Sequence, residues 1–368
     1  MYNLRIDVLR GISIALVLLH HFNIPYKLQD TWLGFQIFGE SFSTLLARNG
    51  NYGVTLFFVI SGFLITGHSL RRQENLAQLD VKAFYIRRIA RIIPCLLLLL
   101  LIVTGLGSLG LAPFLNHAPQ QIEVSDQATV LAALGFYMNL LIIQYGWVNY
   151  ALGVLWSLSV EEVFYLFFPI LCIVTRRRSL LVVVLLAVIA YAPYFRSLYY
   201  LNENEAYLYH YFASFDAIAF GCLSALLASR VKLPQHSVRW LGYLCMGLMC
   251  VLYLYAPIKQ VSTWSMSVFA ILAAILLWVY DQPRVLKKTN KLTQACVWLG
   301  QHSYELYLFH LIELGLIKVM SLPAETPTIF KLPLLLLYLF VSCVLAKLIE
   351  RYYSSPLNHW IRDKFLTH

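Results

Sequence analysis

Two residue types in this chain sit where apolar sequence makes them costly, and both carry chemistry. The N-terminal segment reads Asp7-Val8-Leu9-Arg10-Gly11, runs apolar from Ile12 to Leu19, and then reaches His20-His21. An ionisable group within hydrocarbon costs on the order of 3 kcal/mol and is kept mainly where it works. At ~100° per residue, the eleven steps from Arg10 to His21 return to within about 20° of one helical face, about 16 Å further along the axis. His20 falls about 80° away from that stripe. The arrangement predicts a donor group held by charge at one surface and acid–base or nucleophilic chemistry deeper in. Asp7, three residues before Arg10, is placed to form an ion pair with it.

Four other stretches hold polar side chains at helical spacing. Phe84-Tyr85-Ile86-Arg87-Arg88-Ile89-Ala90-Arg91-Ile92-Ile93-Pro94 brings Arg87, Arg88 and Arg91 onto one patch. Such a cluster either halts transfer at a lipid headgroup or grips phosphate, because guanidinium forks bind phosphate oxygens two at a time. Three arginines at a cytoplasmic helix start suit a polyphosphate such as coenzyme A. Trp156-Ser157-Leu158-Ser159-Val160-Glu161-Glu162-Val163-Phe164-Tyr165 sets Ser157, Glu161 and Tyr165 on one face. The adjacent Glu162 cannot share that face, so one carboxylate is expected to be buried and the other paired to a neighbouring helix. Either these acids only tie helices together, or one orients a histidine or binds substrate hydroxyls. In Gly300-Gln301-His302-Ser303-Tyr304-Glu305-Leu306-Tyr307-Leu308-Phe309-His310, the residues Ser303, Tyr307 and His310 make a stripe, and His310 serves either packing or a site. Ser61-Gly62 is a small pair that lets a helix or a ligand approach closely, with helix packing the simpler reading. Asp216 places one acid in an apolar segment, where an arginine is its expected partner.

The elements that must position these residues are membrane helices. The chain has 368 residues, 60% of them hydrophobic and 12% charged, with mean hydropathy +0.69. A soluble domain carries roughly 25% charge. Apolar runs of crossing length fall near 8–25, 52–70, 83–110, 152–175, 179–196, 207–229, 238–257, 262–281, 296–319 and 329–350. The first begins near the start and lacks a small-residue cleavage site, so it is expected to stay as a signal-anchor. The stretch 129–145 is ambiguous, being short and carrying Asn139 and Gln144. Charge decides. With ten spans and both termini cytoplasmic, only Lys27, Arg48, Arg196, Lys259, Lys318 and Lys331 of the 28 Lys and Arg lie outside. If 129–145 also crossed, Arg176–Arg178 and every later basic loop would move outside. The net charge of +10 is therefore read as a topology signal, and no nucleic-acid partner is expected. The seven cysteines (95, 172, 222, 245, 250, 296 and 343) lie in or beside apolar segments without metal-ligand spacing, so they read as inert thiols and no metal is expected.

Taken together, IDVLRG with a histidine eleven residues after Arg10, YGVTLFFVISGFLI, FYIRRIARIIP, WSLSVEEVFYLFFP, FDAIAFG and GQHSYELYLFH resemble the acyltransferase-3 family of integral membrane acyltransferases. They follow the family's order and cover nearly the whole chain. The resemblance implies transfer of an acyl group, most often acetyl, from cytoplasmic acyl-CoA to a carbohydrate hydroxyl outside the membrane. It points to His21 as the catalytic histidine and to Arg10 and the Arg88/Arg91 region as acyl-CoA contacts. Trp156, Ser157 and Glu161 match the family's fourth-span motif. Two departures stand out. The family often has Arg two residues before the acid matched by Asp216, where this chain has Ser214, and it commonly has one histidine at the end of the first span, where this chain has His20 and His21.

The expected architecture is an all-α integral membrane protein. About ten transmembrane helices bundle around a central acyl-CoA/acceptor cavity, with a re-entrant or interfacial helix in the outer loop 111–151. Residues 1–368 form one polytopic acyltransferase domain in a plasma (bacterial inner) membrane. Some family members carry an appended extracytoplasmic hydrolase-like domain; this chain ends at His368 and is expected to act alone or with a separate partner. The expected chemistry uses His21 and Glu161 as catalytic residues. Arg10, Arg87, Arg88, Arg91 and Ser61 are expected at acyl-CoA. Asp7, Trp156, Ser157, Glu162, Tyr165, Asp216, Ser303, Tyr307 and His310 are expected in support. Acetyl-CoA is the donor substrate, no cofactor is permanently bound, and the acceptor is a carbohydrate or glycolipid such as O-antigen, capsule, exopolysaccharide or peptidoglycan. His21 acts as general base or accepts the acyl group itself. The alternative, a transporter of a glycan or lipid-linked intermediate, predicts inverted repeats. The chain has no half-to-half symmetry.

Overall fold

Backbone N–H and C=O groups in hydrocarbon must be satisfied within their own segment, so apolar runs of crossing length become helices. The computed structural model describes residues 3–37, 39–73, 76–282 and 290–366, and there the chain is mostly helical. The helices are α1 (Leu4–Tyr26), α2 (Phe42–Ala47), α3 (Asn51–Arg72), α4 (Val81–Ser108), α5 (Asp126–Leu134), α6 (Met138–Tyr145), α7 (Leu155–Thr175) and α8 (Arg178–Leu198). They continue with α9 (Ala206–Tyr209), α10 (Tyr211–Ala228), α11 (Gln235–Tyr255), α12 (Ile258–Tyr280), α13 (Lys291–Gln301), α14 (Ser303–Met320), α15 (Thr328–Ile349) and α16 (Ser355–Leu366). Among the described residues the only sheet pairs Gln36–Ile37 with Glu40–Ser41, antiparallel.

Nine helical stretches among the described residues are long and apolar enough to cross a membrane. They coincide with nine of the ten expected spans. The tenth, expected as one helix over 296–319, is two. α13 ends at Gln301, His302 leaves helical geometry at φ −99° and ψ 10°, and α14 starts at Ser303. α14 carries Glu305, Glu313 and Lys318 in 18 residues, more charge than a lipid-facing span tolerates. Both of its acids are buried against protein. The ambiguous stretch 129–145 breaks at Phe136, which takes φ +56°, into α5 and α6 of nine and eight residues. Neither reaches the roughly 20 residues that a crossing needs. Of the expected inner charges, Arg284, Lys287 and Lys288 lie outside the described residues, as does His368.

The chain forms two compact units. The first comprises Met1–Ser13, Asn51–Leu79 and Val160–Gln301, and the second Ile14–Gly50, Asp80–Ser159 and His302–His368. α1 passes from one to the other between Ser13 and Ile14, and α7 between Ser159 and Val160.

In the first unit α10 packs on α3, α8 and α12. Its approach to α3 is backbone to backbone. Gly62 of α3 faces the carbonyl of Ile218, and Gly221 of α10 faces the carbonyl of Val59, so a Cβ at either position would strike main chain. Ser61-Gly62 is thus the close-packing device that its composition suggests. Two further glycines seat α13 on α1: Gly11 against the carbonyl of Cys296, and Gly300 against that of Asp7. In the second unit α14 packs on α15 and α4, and α16 lies along α4. Phe22 stacks on both Tyr26 and Tyr338 at 4.9 and 5.6 Å between ring centres.

Candidate active site

Two histidines of the second unit meet. His21 on α1 and His310 on α14 lie with Nδ1 and Nε2 3.3 Å apart and ring centres 4.8 Å apart. Backbone carbonyls assign the tautomers, because a carbonyl only accepts. His310 Nδ1 is 2.7 Å from the Tyr307 carbonyl and 3.1 Å from that of Leu306, so Nδ1 carries the proton and Nε2 the lone pair. His21 Nδ1 is 2.9 Å from the Val17 carbonyl and faces the His310 lone pair, so it too is protonated there. The remaining nitrogen of His21, Nε2, is a bare lone pair. His20 is used otherwise: its Nδ1 donates to the Ala47 carbonyl at 2.6 Å, and its ring packs against Gly50. The two adjacent histidines thus have different neighbours, His21 facing His310 and His20 facing Ala47 and Gly50.

The stripe on α14 extends this pair. Tyr307 stands 5.9 Å from His310 between ring centres, and its hydroxyl is 2.6 Å from that of Ser157 and donates to the Val154 carbonyl at 3.2 Å. Trp156 and Ser303 are buried in the same unit. At the start of α14, Tyr304 donates to the Ile92 carbonyl at 3.1 Å and lies under the guanidinium of Arg91 at 5.8 Å. Arg87 and Arg88 are half-buried and Arg91 is exposed. Six residues, or about 9 Å of axial rise, separate Tyr304 from His310. The second unit thus holds a cationic patch at one level and an oriented histidine pair at another.

The first unit holds the other expected residues. Asp7 and Arg10 form the i,i+3 ion pair at 3.6 Å. Glu161 Oε1 accepts from the hydroxyls of Ser61 and Tyr165. Glu162 is buried, as one of the two adjacent acids was expected to be. Asp216 does meet an arginine, but one from another helix. Arg196, in the last turn of α8, donates to Asp216 Oδ2 at 3.0 Å, to the Ala213 carbonyl at 2.6 Å and to Ser267. Ser267 in turn donates to Asp216 at 2.5 Å. This cross-helix arginine partners Asp216 in a chain that has serine at 214.

Two residues escaped the sequence reading. Arg196 was counted among outer-side charges, although it closes an apolar run and is fully buried. Glu313 was passed over inside an apolar run, although a lone acid at that depth is itself a signal.

Comparison with known proteins agrees with these motifs. The profile of an acyltransferase domain, acyltransferase family 3, matches residues 3–350. YrhL of Bacillus subtilis, whose name assigns it provisionally as a peptidoglycan O-acetyltransferase, is 25% identical over 96% of this chain and 54% of its own length. The peptidoglycan O-acetyltransferase OatA of Listeria monocytogenes is 23% identical over 96% of this chain and 55% of its own. The chain therefore spans about half the length of these relatives. No solved structure matches it. The match over 3–350, with an arginine patch and a histidine pair built from the same motifs, makes this chain a member of the acyltransferase-3 family.

Proposed function

We propose that the chain transfers an acetyl group from cytoplasmic acetyl-CoA to a hydroxyl of a cell-envelope carbohydrate, with peptidoglycan the acceptor suggested by its relatives' names. The observation that carries the reading is the bare Nε2 of His21, aimed by two acceptors at its Nδ1–H. His21 acts as general base. The acceptor hydroxyl gives its proton to Nε2, its oxygen attacks the thioester carbonyl, the C–S bond breaks, and the proton passes on to the leaving thiolate. The Val17 carbonyl and His310 Nε2 hold the ring and stabilise the imidazolium as it forms. Arg87, Arg88 and Arg91 of the second unit bind the donor's phosphates, and Arg10, which the family resemblance also points to for acyl-CoA, is tested separately. Glu161 is assigned to support, because the hydroxyls of Ser61 and Tyr165 already occupy its Oε1. In this reading both termini lie in the cytoplasm of a plasma membrane and α5 and α6 in the outer interface, an orientation that the bias of Lys and Arg toward the expected inner loops supports.

The test is direct. The full chain in proteoliposomes receives acetyl-labelled acetyl-CoA and the disaccharide of N-acetylglucosamine and N-acetylmuramic acid. Label on the sugar, lost in His21→Ala, is the expected result. A protein that binds acetyl-CoA yet never moves label would overturn the reading.

A further inference from the structure

Beyond the C-terminal end of α1, the second unit holds an open cavity of about 500 Å³. That volume lies within the range of small-molecule sites, roughly 300–1,000 Å³. Polar residues form its wall: Gln29, Asp30, Gln36, Glu40, Ser41 and Thr44. The wall is built from tight turns. Gly34 lies so close to the Gln29 carbonyl that a Cβ would strike it, and Gly39, which also lines the cavity, turns the short hairpin at φ +82°. Phe35 stacks on Phe42 at 5.0 Å between ring centres. Ser41 caps α2 by accepting from the Thr44 N–H, and the two hydroxyls stand 2.6 Å apart. Both acids are matched. Asp30 Oδ2 accepts from Lys331 at 2.6 Å and from the Thr328 hydroxyl at 2.9 Å, and Glu40 accepts from Arg48. The side-chain amides of Gln29 and Gln36 are exposed and make no hydrogen bond among the described residues.

α2 carries this wall toward the histidines. Thr44 is one helical turn from Ala47, about 4.5 Å along the axis. The Ala47 carbonyl accepts from His20 at 2.6 Å, and the His20 ring centre is 5.4 Å from that of His21. We propose that the cavity is a distal subsite for the acceptor glycan: it holds a second sugar of the chain while the sugar to be acetylated lies at His21 Nε2. This rests on the acyl-transfer reading above. The amides each offer two donors and an acceptor, and the hydroxyls and matched carboxylates add further acceptors, a set that suits the neighbouring hydroxyls of a sugar ring. A lipid tail would find no apolar side chain in the wall, and a divalent cation would find both acids already paired. In the proposed orientation the C-terminal end of α1 faces outward, toward the glycan.

The test compares two probes on the full chain in proteoliposomes: the N-acetylglucosamine–N-acetylmuramic acid disaccharide and the tetrasaccharide made of two such units. The unmodified chain is expected to show a KM about tenfold lower for the tetrasaccharide, the worth of one or two added hydrogen bonds. The double variant Gln29→Ala/Gln36→Ala is expected to erase that preference and to keep its KM for acetyl-CoA within about twofold, which also shows that it has folded. No preference for the longer sugar, or a preference that survives in the variant, would overturn this inference alone. Equal damage to the acetyl-CoA constant would assign the two glutamines to the fold and overturn it too. Titration with the tetrasaccharide without acetyl-CoA reads the cavity apart from the chemistry. Binding that the double variant loses, in a chain that acetylates neither sugar, would remove the functional reading and keep the cavity as a glycan site.

Discussion

Arg196 and His310 are both fully buried, yet their surroundings differ in kind. Arg196 sits among acceptors: a carboxylate, a serine hydroxyl and two backbone carbonyls, Ala213 at 2.6 Å and Thr263 at 3.4 Å. The charge is matched and its donors are spoken for. Around His310 the accounts stay open. Its neighbour His21 keeps a bare Nε2, and Glu313, one turn along α14, keeps a buried carboxylate oxygen unpaired among the described residues. A completed network rigidifies, because any disturbance leaves a buried group unpaired. Burial alone scores the two alike; the state of their polar partners does not.

The largest effect should come at the open cluster. His21→Ala is expected to cut transfer by roughly 10²–10⁴-fold, the usual worth of a positioned general base. His20→Ala removes one hydrogen bond to Ala47, worth about 1 kcal/mol of stability, and should retain most activity. Acetyl transfer by both purified variants checks the pair; equal losses would erase the distinction between the adjacent histidines.

At the closed cluster the loss should fall on folding. Arg196→Ala leaves Asp216 buried and unmatched and should destabilise the first unit by about 3–5 kcal/mol, whereas replacing both partners with apolar residues should cost much less. Thermal unfolding in detergent gives the comparison. An Arg196→Ala protein that melts normally but cannot turn over would move Arg196 into the chemistry and break the contrast.

The cationic patch tests the donor side. Arg10→Ala and Arg91→Ala should each weaken acetyl-CoA binding by about 1.5–3 kcal/mol, and lysine should restore only part, since it lacks the guanidinium fork. Titration with acetyl-CoA measures this. Unchanged affinity in both would reduce the cluster to a topology signal.

The smallest effect belongs to the pair of exposed Asp30 and buried Lys331 at 2.6 Å. The Lys331 ammonium beside Asp30 holds its carboxyl below the usual carboxylate range. A depressed carboxyl stabilises the fold above its unfolded pKa of about 3.9 and loses that stabilisation as pH falls through the lower folded value. Melting curves below pH ~4 should thus fall less steeply for Asp30→Asn than for the unmodified chain. At higher pH the two should differ little, because the Asp30 carboxylate is exposed and solvent screens its side of the pair.

Much of this molecule was written locally. Spans of 18–28 residues follow from apolar runs and backbone satisfaction. The Asp7–Arg10 and Tyr165–Glu161 pairs follow from three- and four-residue spacing, and the separation of His21 from His20 follows from the helical repeat. The break at His302 was not legible, because the run from 296 to 319 stays apolar enough to read as one helix.

What composition and periodicity determined was therefore the class of the protein, its helices and the faces that carry its polar residues. What only the tertiary structure decided was which of those faces meet. Arg196 and Asp216 are twenty residues apart on different helices, and His21 and His310 are separated by nearly the whole chain. Helical spacing is set by the backbone within a segment. Pairing across helices is set by which surfaces pack, here by reciprocal glycines at Gly62 and Gly221 that let two backbones touch. Packing within the first unit gives Arg196 a carboxylate, a hydroxyl and two carbonyls, and packing within the second brings His21 to His310, pairings that no single helix contains.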